Sequence, residues 1–369
     1  MSAPVNLPAR HQCQTPIGIG IVGGGDISGR YVSCVTNSSR FKLVGVSKRK
    51  EDTEALVRDE RVDLIVNLTP PLVHAGITRF ALESGKHVYS EKPLAHELSI
   101  ARVLCDLATE RGLMLACAPA TFLGPALQTA LVHLQSGSLG KPIGARGIIL
   151  YRGPDHWHHN PAPLFDKAAG PLFDMGVYHI AALIALLGPI CEVTAMGSQA
   201  NTTRSIKKGP RAGQSFNVKV WTHVAALLRF ANGAIAELTT SFDGISSAGP
   251  ALEVFGTRAS LQLPHPSQFD GSVYVASEAG AWETVATAQP IWSENLWIVG
   301  LHATADRLEG EDCAWPDPAL TVHALDAMLA IEASIETGST RALSTTCPFV
   351  APLSEAAVSK WSNSYLRAA

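Results

Sequence analysis

The sequence has 369 residues, of which 46% are hydrophobic and 17% are charged, and its formal net charge is −3. The length exceeds that of one ordinary domain, and the composition excludes an intrinsically disordered chain. The charge gives no electrostatic reason to expect nucleic acid or an anionic membrane as a partner. No apolar run reaches the roughly 18 residues that a membrane span needs.

The cysteines and the N-terminal residues predict the compartment. Seven cysteines are scattered along the chain without a CxxC pair, which favours thiols in a reducing compartment over a disulfide framework. Residues 1–15 are polar and contain no signal-peptide core, so we interpret them as a flexible tail. We therefore expect a cytoplasmic protein.

The first predicted elements are a strand, a glycine turn and a helix. Ile17–Val22 is an apolar strand, and a helical pattern starts near Arg30. Gly18, Gly20 and Gly23 match GxGxxG literally, but two of them would then lie inside the strand. We prefer the register that places Gly23 and Gly25 in the turn, where backbone N–H groups and the helix dipole bind a pyrophosphate.

The second strand, Phe41–Val46, ends in a basic run that bears on cofactor choice. An NAD enzyme usually has an acidic residue about 20 residues after the glycines, which binds the ribose hydroxyls. Ser47, Lys48 and Arg49 occupy that place instead and suit a 2′-phosphate, so NADP(H) is favoured over NAD(H). A solvated basic loop is the alternative, and Glu51 and Asp52 keep NAD(H) open.

Two further strand ends carry candidate site residues. Thr69, Pro70 and Pro71 form a rigid turn that can pack against the adenosine, and His74 begins the next helix. His74 either faces the nicotinamide or is a satisfied histidine at a helix end. After the fourth strand comes Ser90-Glu91-Lys92-Pro93, which places Lys92 at the ligand-binding edge of a parallel sheet. Strand and helix alternate five times in all, which predicts a doubly wound Rossmann domain over residues 16–138.

The second half of the chain has a different pattern. Longer β-type runs and hairpin signals predict a mostly antiparallel open sheet, in an α+β domain over residues 139–345 that binds substrate. The helices near the C-terminus are expected to pack back on the first domain. Because a large open sheet needs cover, we expect a homodimer or homotetramer formed through it.

Two stretches of this second half are chemically distinctive. Asp174 and Tyr178 are four residues apart on a predicted helix and share a face, whereas His179 points about 100° further round. A carboxylate with a phenol or imidazole can orient and deprotonate a hydroxyl. Helix capping by Asp174 and ordinary packing of the two rings are the alternatives.

The second stretch, residues 152–161, contains His156, Trp157, His158 and His159. No zinc-type spacing pairs these histidines with another ligand cluster, so no metal is expected. We interpret the stretch as an aromatic rim that faces a sugar, with an incidental exposed loop as the alternative.

Together these residues resemble the glucose-fructose oxidoreductase, inositol dehydrogenase and rhizopine-catabolism family, abbreviated Gfo/Idh/MocA. Its markers are residues 23–28, residues 69–74, Glu91-Lys92-Pro93 and residues 174–178, in that order. The resemblance spans about residues 17–344. It implies an N-terminal Rossmann domain, a C-terminal α/β domain with an open antiparallel sheet, and oxidation or reduction of sugars and polyols with NAD(P)(H).

The resemblance also implies residue roles. Lys92 would contact the reacting oxygen and Asp174 would orient the substrate. The family's usual proton-transfer histidine lies four residues after the aspartate, where this chain has Tyr178, as glucose-fructose oxidoreductase does; His179 is the second candidate. The chain departs from many relatives at residues 118–122, where an Asn-Arg pair is common.

We therefore predict an NAD(P)-dependent oxidoreductase that acts on a secondary alcohol or ketone of a sugar or polyol. An NAD-dependent glycosidase acting through transient oxidation and a non-catalytic dinucleotide-binding regulator are the alternatives. The predicted catalytic residues are Lys92, Asp174, Tyr178 and His179. The predicted cofactor-binding residues are Gly23, Gly25, Asp26, Ile27, Ser28, Ser47, Lys48, Arg49, Thr69, Pro70, Pro71, His74, Glu91 and Lys92. The predicted substrate-binding residues are Lys92, His156, Trp157, His158, Asp174 and Tyr178.

Overall fold

The computed structural model describes residues 16–25, 27–278, 280–288 and 296–365. Its contacts divide the chain into two compact units, each treated separately below. The first unit comprises Met1–Gln128, Thr287–Val322 and Val350–Ala369, and the second comprises Thr129–Ala286 and His323–Phe349. The first unit thus combines the N-terminal third of the chain with two later segments.

The described helices are numbered in chain order. They are α1 (Ser28–Thr36), α2 (Lys50–Arg58), α3 (His74–Glu83), α4 (Leu98–Glu110), α5 (Pro125–Gln135), α6 (Val177–Leu187), α7 (Val299–Leu308), α8 (Pro318–Thr337) and α9 (Glu355–Ser364). Of these, α8 is long and apolar enough to span a membrane, but 67% of its most apolar 18-residue stretch is buried inside the protein. That burial is the usual condition of a core helix.

The first unit contains a five-stranded parallel sheet. Its strands are β1 (Ile17–Val22), β2 (Phe41–Ser47), β3 (Leu64–Asn67), β4 (His87–Ser90) and β5 (Leu115–Cys117), in the order β2-β1-β3-β4-β5. Every residue of β1, β3 and β4 is buried, which is typical of a parallel sheet covered on both faces. The chain leaves β1 toward β2 on one side and returns to β3 on the other. This reversal is where doubly wound sheets form their ligand crevice.

The second unit contains a nine-stranded sheet and a separate hairpin. Its strands are β6 (Pro142–Leu150), β7 (Ile190–Ser198), β8 (Thr203–Ser205), β9 (Ser215–Asn217), β10 (His223–Phe230), β11 (Ile235–Ser241), β12 (Leu252–Gly256), β13 (Ser260–Leu263), β14 (Val273–Ala276), β15 (Trp282–Val285) and β16 (Arg341–Ala342). The sheet order is β15-β14-β13-β12-β6-β11-β10-β7-β16, while β8 and β9 pair only with each other.

Only one pair in the described nine-stranded sheet, β6 with β11, is parallel. The predicted fold class, a Rossmann sheet followed by a mostly antiparallel open sheet, is confirmed. Helix α6 belongs to the core of this unit, because all of its residues are buried. One β-type run was predicted over Lys219–Phe230, but β10 begins at His223, and β8, β9 and β13 to β16 were not predicted.

Candidate active site

The glycine turn lies directly after β1, at the crevice of the first sheet. Gly18 and Gly20 lie inside β1, and Gly23 follows it with a φ of +119°. A Cβ atom on Gly23 would lie 2.4 Å from the carbonyl oxygen of Leu68, so only glycine lets the turn approach the end of β3 so closely. A Cβ atom on Gly25, by contrast, would meet nothing within 4 Å. The turn is therefore open above Gly25, where a phosphate needs room.

Helix α1 begins where the turn ends. Ser28 is its first residue, and its N–H and hydroxyl both donate to the carbonyl oxygen of Gly25, at 3.0 and 2.7 Å. Ile27 immediately precedes the helix. Asp26, which was also predicted to bind the cofactor, lies outside the described residues, as does the predicted tail 1–15. The glycine turn therefore leads directly into the N-terminus of α1, which is the arrangement that binds phosphate at helix N-termini.

A cavity of about 440 Å³ adjoins this turn, and its lining includes Gly23, Gly24, Lys48, Arg49, Thr69 and Pro70. These residues follow the carboxyl ends of β1, β2 and β3. A Cβ on Gly24 would come within 2.6 Å of the Lys48 side chain, so the Lys48 stem lies across the glycine turn. Glu54 also lines the cavity. Three neighbouring strand ends therefore form one cleft with three cations, Lys48, Arg49 and Lys50, in its wall.

Ser47 differs from its two basic neighbours because its side chain is enclosed. It is 1% exposed, and its hydroxyl contacts the Thr53 hydroxyl and the carbonyl oxygen of Arg49. These contacts tie the end of β2 to the start of α2. Ser47 lines the cavity, but its hydroxyl is already engaged by the protein.

Asn67, at the end of β3, organises the next loop. Its side-chain amide donates to the His74 carbonyl at 3.0 Å and to the Thr78 hydroxyl at 3.2 Å, while its oxygen accepts from the Thr69 hydroxyl at 2.7 Å. Asn67 is fully buried. This set of bonds fixes the Thr69-Pro70 turn beside the cavity, and Pro71 opens the short 3₁₀ turn that follows.

His74 bridges two strand-end loops. It is 1% exposed, and its ring nitrogens lie 2.8 Å from the carbonyl oxygen of Pro93 and 2.6 Å from that of Thr69. Burial lowers the pKa of His74, while both carbonyls and the Glu91 carboxylate oppose that shift. Because both partners are acceptors, an uncharged ring donates to one carbonyl oxygen and only contacts the other. The ring thus lies between the Thr69 turn and the Lys92-Pro93 turn, which fits the alternative of a histidine held by the protein at a helix end.

The lysine turn follows β4, and Glu91 lies under it. Glu91 is 9% exposed; one carboxylate oxygen accepts from the Tyr31 hydroxyl at 3.0 Å, and the other accepts from the Lys92 backbone N–H at 3.2 Å. The Lys92-Pro93 peptide bond is cis. Lys92 itself is half-buried. Tyr31 on α1 and Glu91 after β4 thus join the helix of the glycine turn to the backbone of Lys92.

In the second unit, Asp174 lies in a single π-helical turn, Leu172–Gly176, directly before α6. The prediction of α-helical spacing from Asp174 to Tyr178 was therefore wrong. A π-turn inserts one extra residue, which turns the side chains that precede α6 and is frequent at functional sites. Asp174 is partly exposed, whereas Tyr178, in the first turn of α6, is 8% exposed.

His179 is enclosed by the sheet of the second unit. It is fully buried, its Nε2 lies 3.1 Å from the carbonyl oxygen of Ala251, and its ring packs edge-on against His265 at 4.9 Å. Burial, with the nearby His265 ring adding to it, lowers the pKa of His179 to about 3. The imidazole is therefore neutral across the physiological range.

The histidine-rich stretch is distributed between two cavities of the second unit. Trp157, which is 55% exposed, lines a cavity of about 530 Å³ together with Tyr151 and Met175. His156 lines another of about 490 Å³, beside Arg204 and Asp155. His158 accepts a hydrogen bond from the Asn160 N–H at 3.0 Å. The three predicted substrate residues therefore do not share one pocket.

Sequence reasoning missed two residues of the site. Asn67 and Tyr31 both act through buried polar bonds, at the end of a strand and inside a helix. A polar residue at the end of an otherwise apolar strand was a usable signal for Asn67. Nothing local marked Tyr31, because its partner Glu91 is 60 positions further along the chain.

Comparison with known proteins identifies the family of this chain. A model described as "Oxidoreductase family, NAD-binding Rossmann fold" matches residues 48–118. A second, described as "GFO/IDH/MocA C-terminal domain", matches residues 127–262. The two matches fall on the first and second sheets in the order that the family has.

Individual relatives agree with that result. Levoglucosan dehydrogenase of Pseudarthrobacter phenanthrenivorans is 27% identical over 278 residues, covering 69% of this chain and 70% of that protein. The scyllo-inositol 2-dehydrogenase (NAD(+)) of Bacillus subtilis is 24% identical over 218 residues, covering 59% and 60%. A crystal structure of an NAD binding oxidoreductase from Klebsiella pneumoniae has the same fold, with a TM-score of 0.75 at 20% identity over 89% of this chain and 98% of that one. The chain is thus a member of the Gfo/Idh/MocA family of NAD(P)-dependent oxidoreductases.

Proposed function

We propose that the protein transfers a hydride between a nicotinamide cofactor and a secondary carbinol carbon of a sugar or polyol. The observation that carries this proposal is the crevice of the first sheet, where the open glycine turn, the cavity and the Lys92 turn follow neighbouring parallel strands. The relatives named above are a levoglucosan and an inositol dehydrogenase, whose substrates are both polyhydroxylated rings.

The residues of the first unit fit a dinucleotide. The turn after β1 is open above Gly25, α1 begins there, and the cavity adjoins it. Gly23, Gly25 and Ser28 would hold the pyrophosphate, and Thr69 and Pro70 would pack against the adenosine. The bound nicotinamide would supply the acceptor or donor of the hydride.

Lys92, Asp174 and Tyr178 carry the remaining chemistry. The Lys92 ammonium stabilises negative charge that develops on the reacting oxygen, an effect worth most where water is excluded. Asp174 accepts hydrogen bonds from substrate hydroxyls and so orients the ring. Tyr178 moves the hydroxyl proton through its phenolic oxygen.

Tyr178 is preferred to His179 for proton transfer on physical grounds. A general base works best with a pKa near the operating pH, and a pKa of about 3 makes His179 a poor one. Its Nε2 also contacts the carbonyl oxygen of Ala251. His179 is better explained as a positioning residue at the base of α6.

We further propose that NADP(H) is preferred to NAD(H). Lys48 and Arg49 line the cavity at the end of β2, and the Lys48 stem crosses the glycine turn. Two cations suit a 2′-phosphate, and the acidic residue typical of NAD enzymes is replaced. The Glu54 carboxylate in the same wall would repel the phosphate, so NADP(H) binding requires that the attraction between Lys48 and the phosphate exceed this repulsion.

A cofactor-coupled screen tests the function. Sugars, polyols and inositols are offered with NAD⁺ and with NADP⁺, and nicotinamide reduction is followed by absorbance. We expect turnover of at least one polyhydroxylated ring, faster with NADP⁺. Release of a leaving group with no net change in absorbance would instead support a glycosidase.

Two variants assign the residues. Lys92→Ala should lower kcat/KM by about 10²- to 10³-fold while cofactor binding, measured by NADPH fluorescence, is retained. Lys48→Ala should weaken NADPH binding more than NADH binding, whereas Lys42→Ala, at an exposed position on β2, the strand that precedes Lys48, should change neither. Most of the turnover surviving in Lys92→Ala would refute its role, and equal losses for both cofactors would refute the NADP(H) preference.

A further inference from the structure

The 530 Å³ cavity of the second unit has a lining without formal charge. Among the described residues that form its wall there is no Asp, Glu, Lys or Arg. Its one histidine, His265, has a pKa lowered by burial and accepts from the Ser267 N–H at 3.1 Å through Nδ1, so it is neutral. The guanidinium of Arg146 lies beside Gly249 of this wall, but it is already paired with Glu253 at 2.6 Å. An anionic group placed here would therefore lose hydration without gaining an unpaired counter-charge, which is unfavourable.

The same wall is both apolar and hydrogen-bonding. Ile148 and Leu150 from β6 present hydrocarbon, while Ser246, Ser247 and Gln268 present neutral polar groups. Tyr151 adds a phenol whose pKa is raised by burial and by nearby Asp174 and Asp155, so it stays protonated and can donate. A carbohydrate ring is complementary to such a wall, because its surface alternates between C–H groups and hydroxyl groups.

Two large apolar side chains at this cavity are unusually exposed. Trp157 is 55% exposed and Ile245 is 72% exposed, and both contribute to the lining. Apolar side chains that line a concave wall and remain this accessible mark a ligand surface more often than a folding core. A tryptophan gives a flat apolar platform with an N–H at its edge, which suits the C–H face of a sugar ring.

The cavity adjoins the proposed substrate carboxylate. Met175, the neighbour of Asp174 in the π-helical turn, lines it, and the Asp174 charge acts on Tyr151. Its volume of about 530 Å³ lies in the range of sites that enclose drug-sized ligands. A ring held by Asp174 would therefore leave this space available to a further part of the substrate.

We propose that the substrate is an uncharged glycoside, and that this cavity binds the sugar ring or other neutral group joined to the reacting ring. Sugar phosphates, sugar acids and nucleotide-linked sugars are disfavoured, because their charges would lie against an uncharged wall. The inference rests on the proposed function and narrows its substrate class.

Matched substrates test this inference. One hexose is compared with its methyl glycoside, its phenyl glycoside, a disaccharide that contains it, its 6-phosphate and its uronic acid. We expect kcat/KM to be at least tenfold higher for the disaccharide or phenyl glycoside than for the free hexose, and lowest for the two anions. Equal values for the hexose and its glycosides, or a preference for an anion, would overturn the inference.

Variants locate the effect. Trp157→Ala should lower kcat/KM for the preferred glycoside at least tenfold more than it lowers kcat/KM for the free hexose. His159→Ala, an exposed neighbour two residues away, is the matched control and should behave as wild type. A parallel loss for hexose and glycoside in Trp157→Ala would refute a separate subsite.

Binding separates this inference from the proposed function. Calorimetric titration with the same compounds needs no turnover. If no compound is oxidised, the proposed function fails, and the cavity is judged by affinity alone: tighter binding of the glycoside, lost in Trp157→Ala, supports it, and equal affinities overturn it.

Discussion

Tyr178 and His179 are adjacent in the sequence, yet their surroundings give them different chemistry. Tyr178 keeps 8% of its surface exposed, whereas His179 is fully buried against Gly147 and Ala251. One step along a helix turns a side chain by about 100°, which is enough to separate the proposed proton-transfer residue from a residue enclosed by the sheet. A sequence pattern cannot distinguish these two residues, because the neighbouring residues do not show which side of the helix the sheet covers.

Replacing each of the two rings should separate their roles. Tyr178→Phe removes only the phenolic oxygen and should lower kcat/KM by about 10²-fold, the smaller end of what proton transfer contributes. His179→Gln keeps a donor toward Ala251 and should have a smaller effect. The readout is the pH profile of kcat/KM for alcohol oxidation, whose rising limb reports the group that must lose its proton and should be altered only in Tyr178→Phe. The reverse ranking would assign proton transfer to His179.

Acid should destabilise the protein partly through His179. In the unfolded chain this imidazole takes up a proton near pH 6.5, but the native one does so only near pH 3. The unfolded state therefore binds more protons between these values, so the free energy of unfolding falls as the pH drops from about 6.5 toward 3. Each unit of difference corresponds to about 1.4 kcal/mol, so the full effect is at most several kcal/mol.

Urea unfolding at a series of pH values measures this effect. The slope of unfolding free energy against pH should be shallower in His179→Gln than in wild type over that window. Other buried histidines, such as His302, keep part of the slope in both proteins. His159→Gln, at an exposed position, is the control, and a slope equal to wild type in His179→Gln would contradict the assignment.

At the scale of elements, a buried bond joins α1 to the lysine turn. Tyr31 is 1% exposed and donates to Glu91, whose other oxygen accepts from the Lys92 N–H. The helix of the glycine turn and the backbone of Lys92 therefore share one carboxylate. His74 adds a second link, from the Thr69 turn to Pro93.

Removing the Tyr31 hydroxyl tests that link. Tyr31→Phe keeps the ring but leaves a buried carboxylate short of one donor, which should lower the free energy of unfolding by about 1.5–3 kcal/mol. Urea unfolding measures it, and kcat should fall more than cofactor affinity. Tyr274→Phe, at a 38% exposed position on β14, should be nearly neutral. Equal effects of the two changes would show that the Tyr31–Glu91 bond contributes little.

Regular elements could be predicted from the sequence, and long-range bonds could not. The apolar run at Ile17–Val22 predicted a strand because its burial is expressed in consecutive residues. The π-helical turn at Asp174 was not predicted, because its residues are mostly apolar, as in a buried α-helix, and residue type alone does not distinguish the two helix types. The enclosure of Ser47 was missed because Thr53, which contacts its hydroxyl, lies in the next helix.

At the scale of the whole molecule, one face of the second sheet is exposed and carries large apolar side chains among polar ones. Along β10, Val224, Ala226 and Leu228 are buried, while the alternating Leu227 is 52% exposed. Directly paired residues of neighbouring strands lie on the same face of a sheet. Met196 on β7 is 81% exposed and pairs with Ala225, which is exposed on β10 like Leu227. Exposed apolar side chains on an open sheet mark an interaction surface. We expect a second copy of this chain to cover it.

A single charge on that face should weaken the assembly. Leu227→Asp would place a second carboxylate directly opposite Glu237 in the proposed interface, where its desolvation is uncompensated. We expect light scattering with gel filtration to give a dimer or tetramer for the wild type and a smaller species for the variant at micromolar concentration. Val103→Asp, on α4 of the first unit and 46% exposed, should leave the assembly unchanged. A wild-type monomer, or a variant with unchanged mass, would mean that this face does not bind another copy; loss of assembly in Val103→Asp alone would place the interface on the first unit.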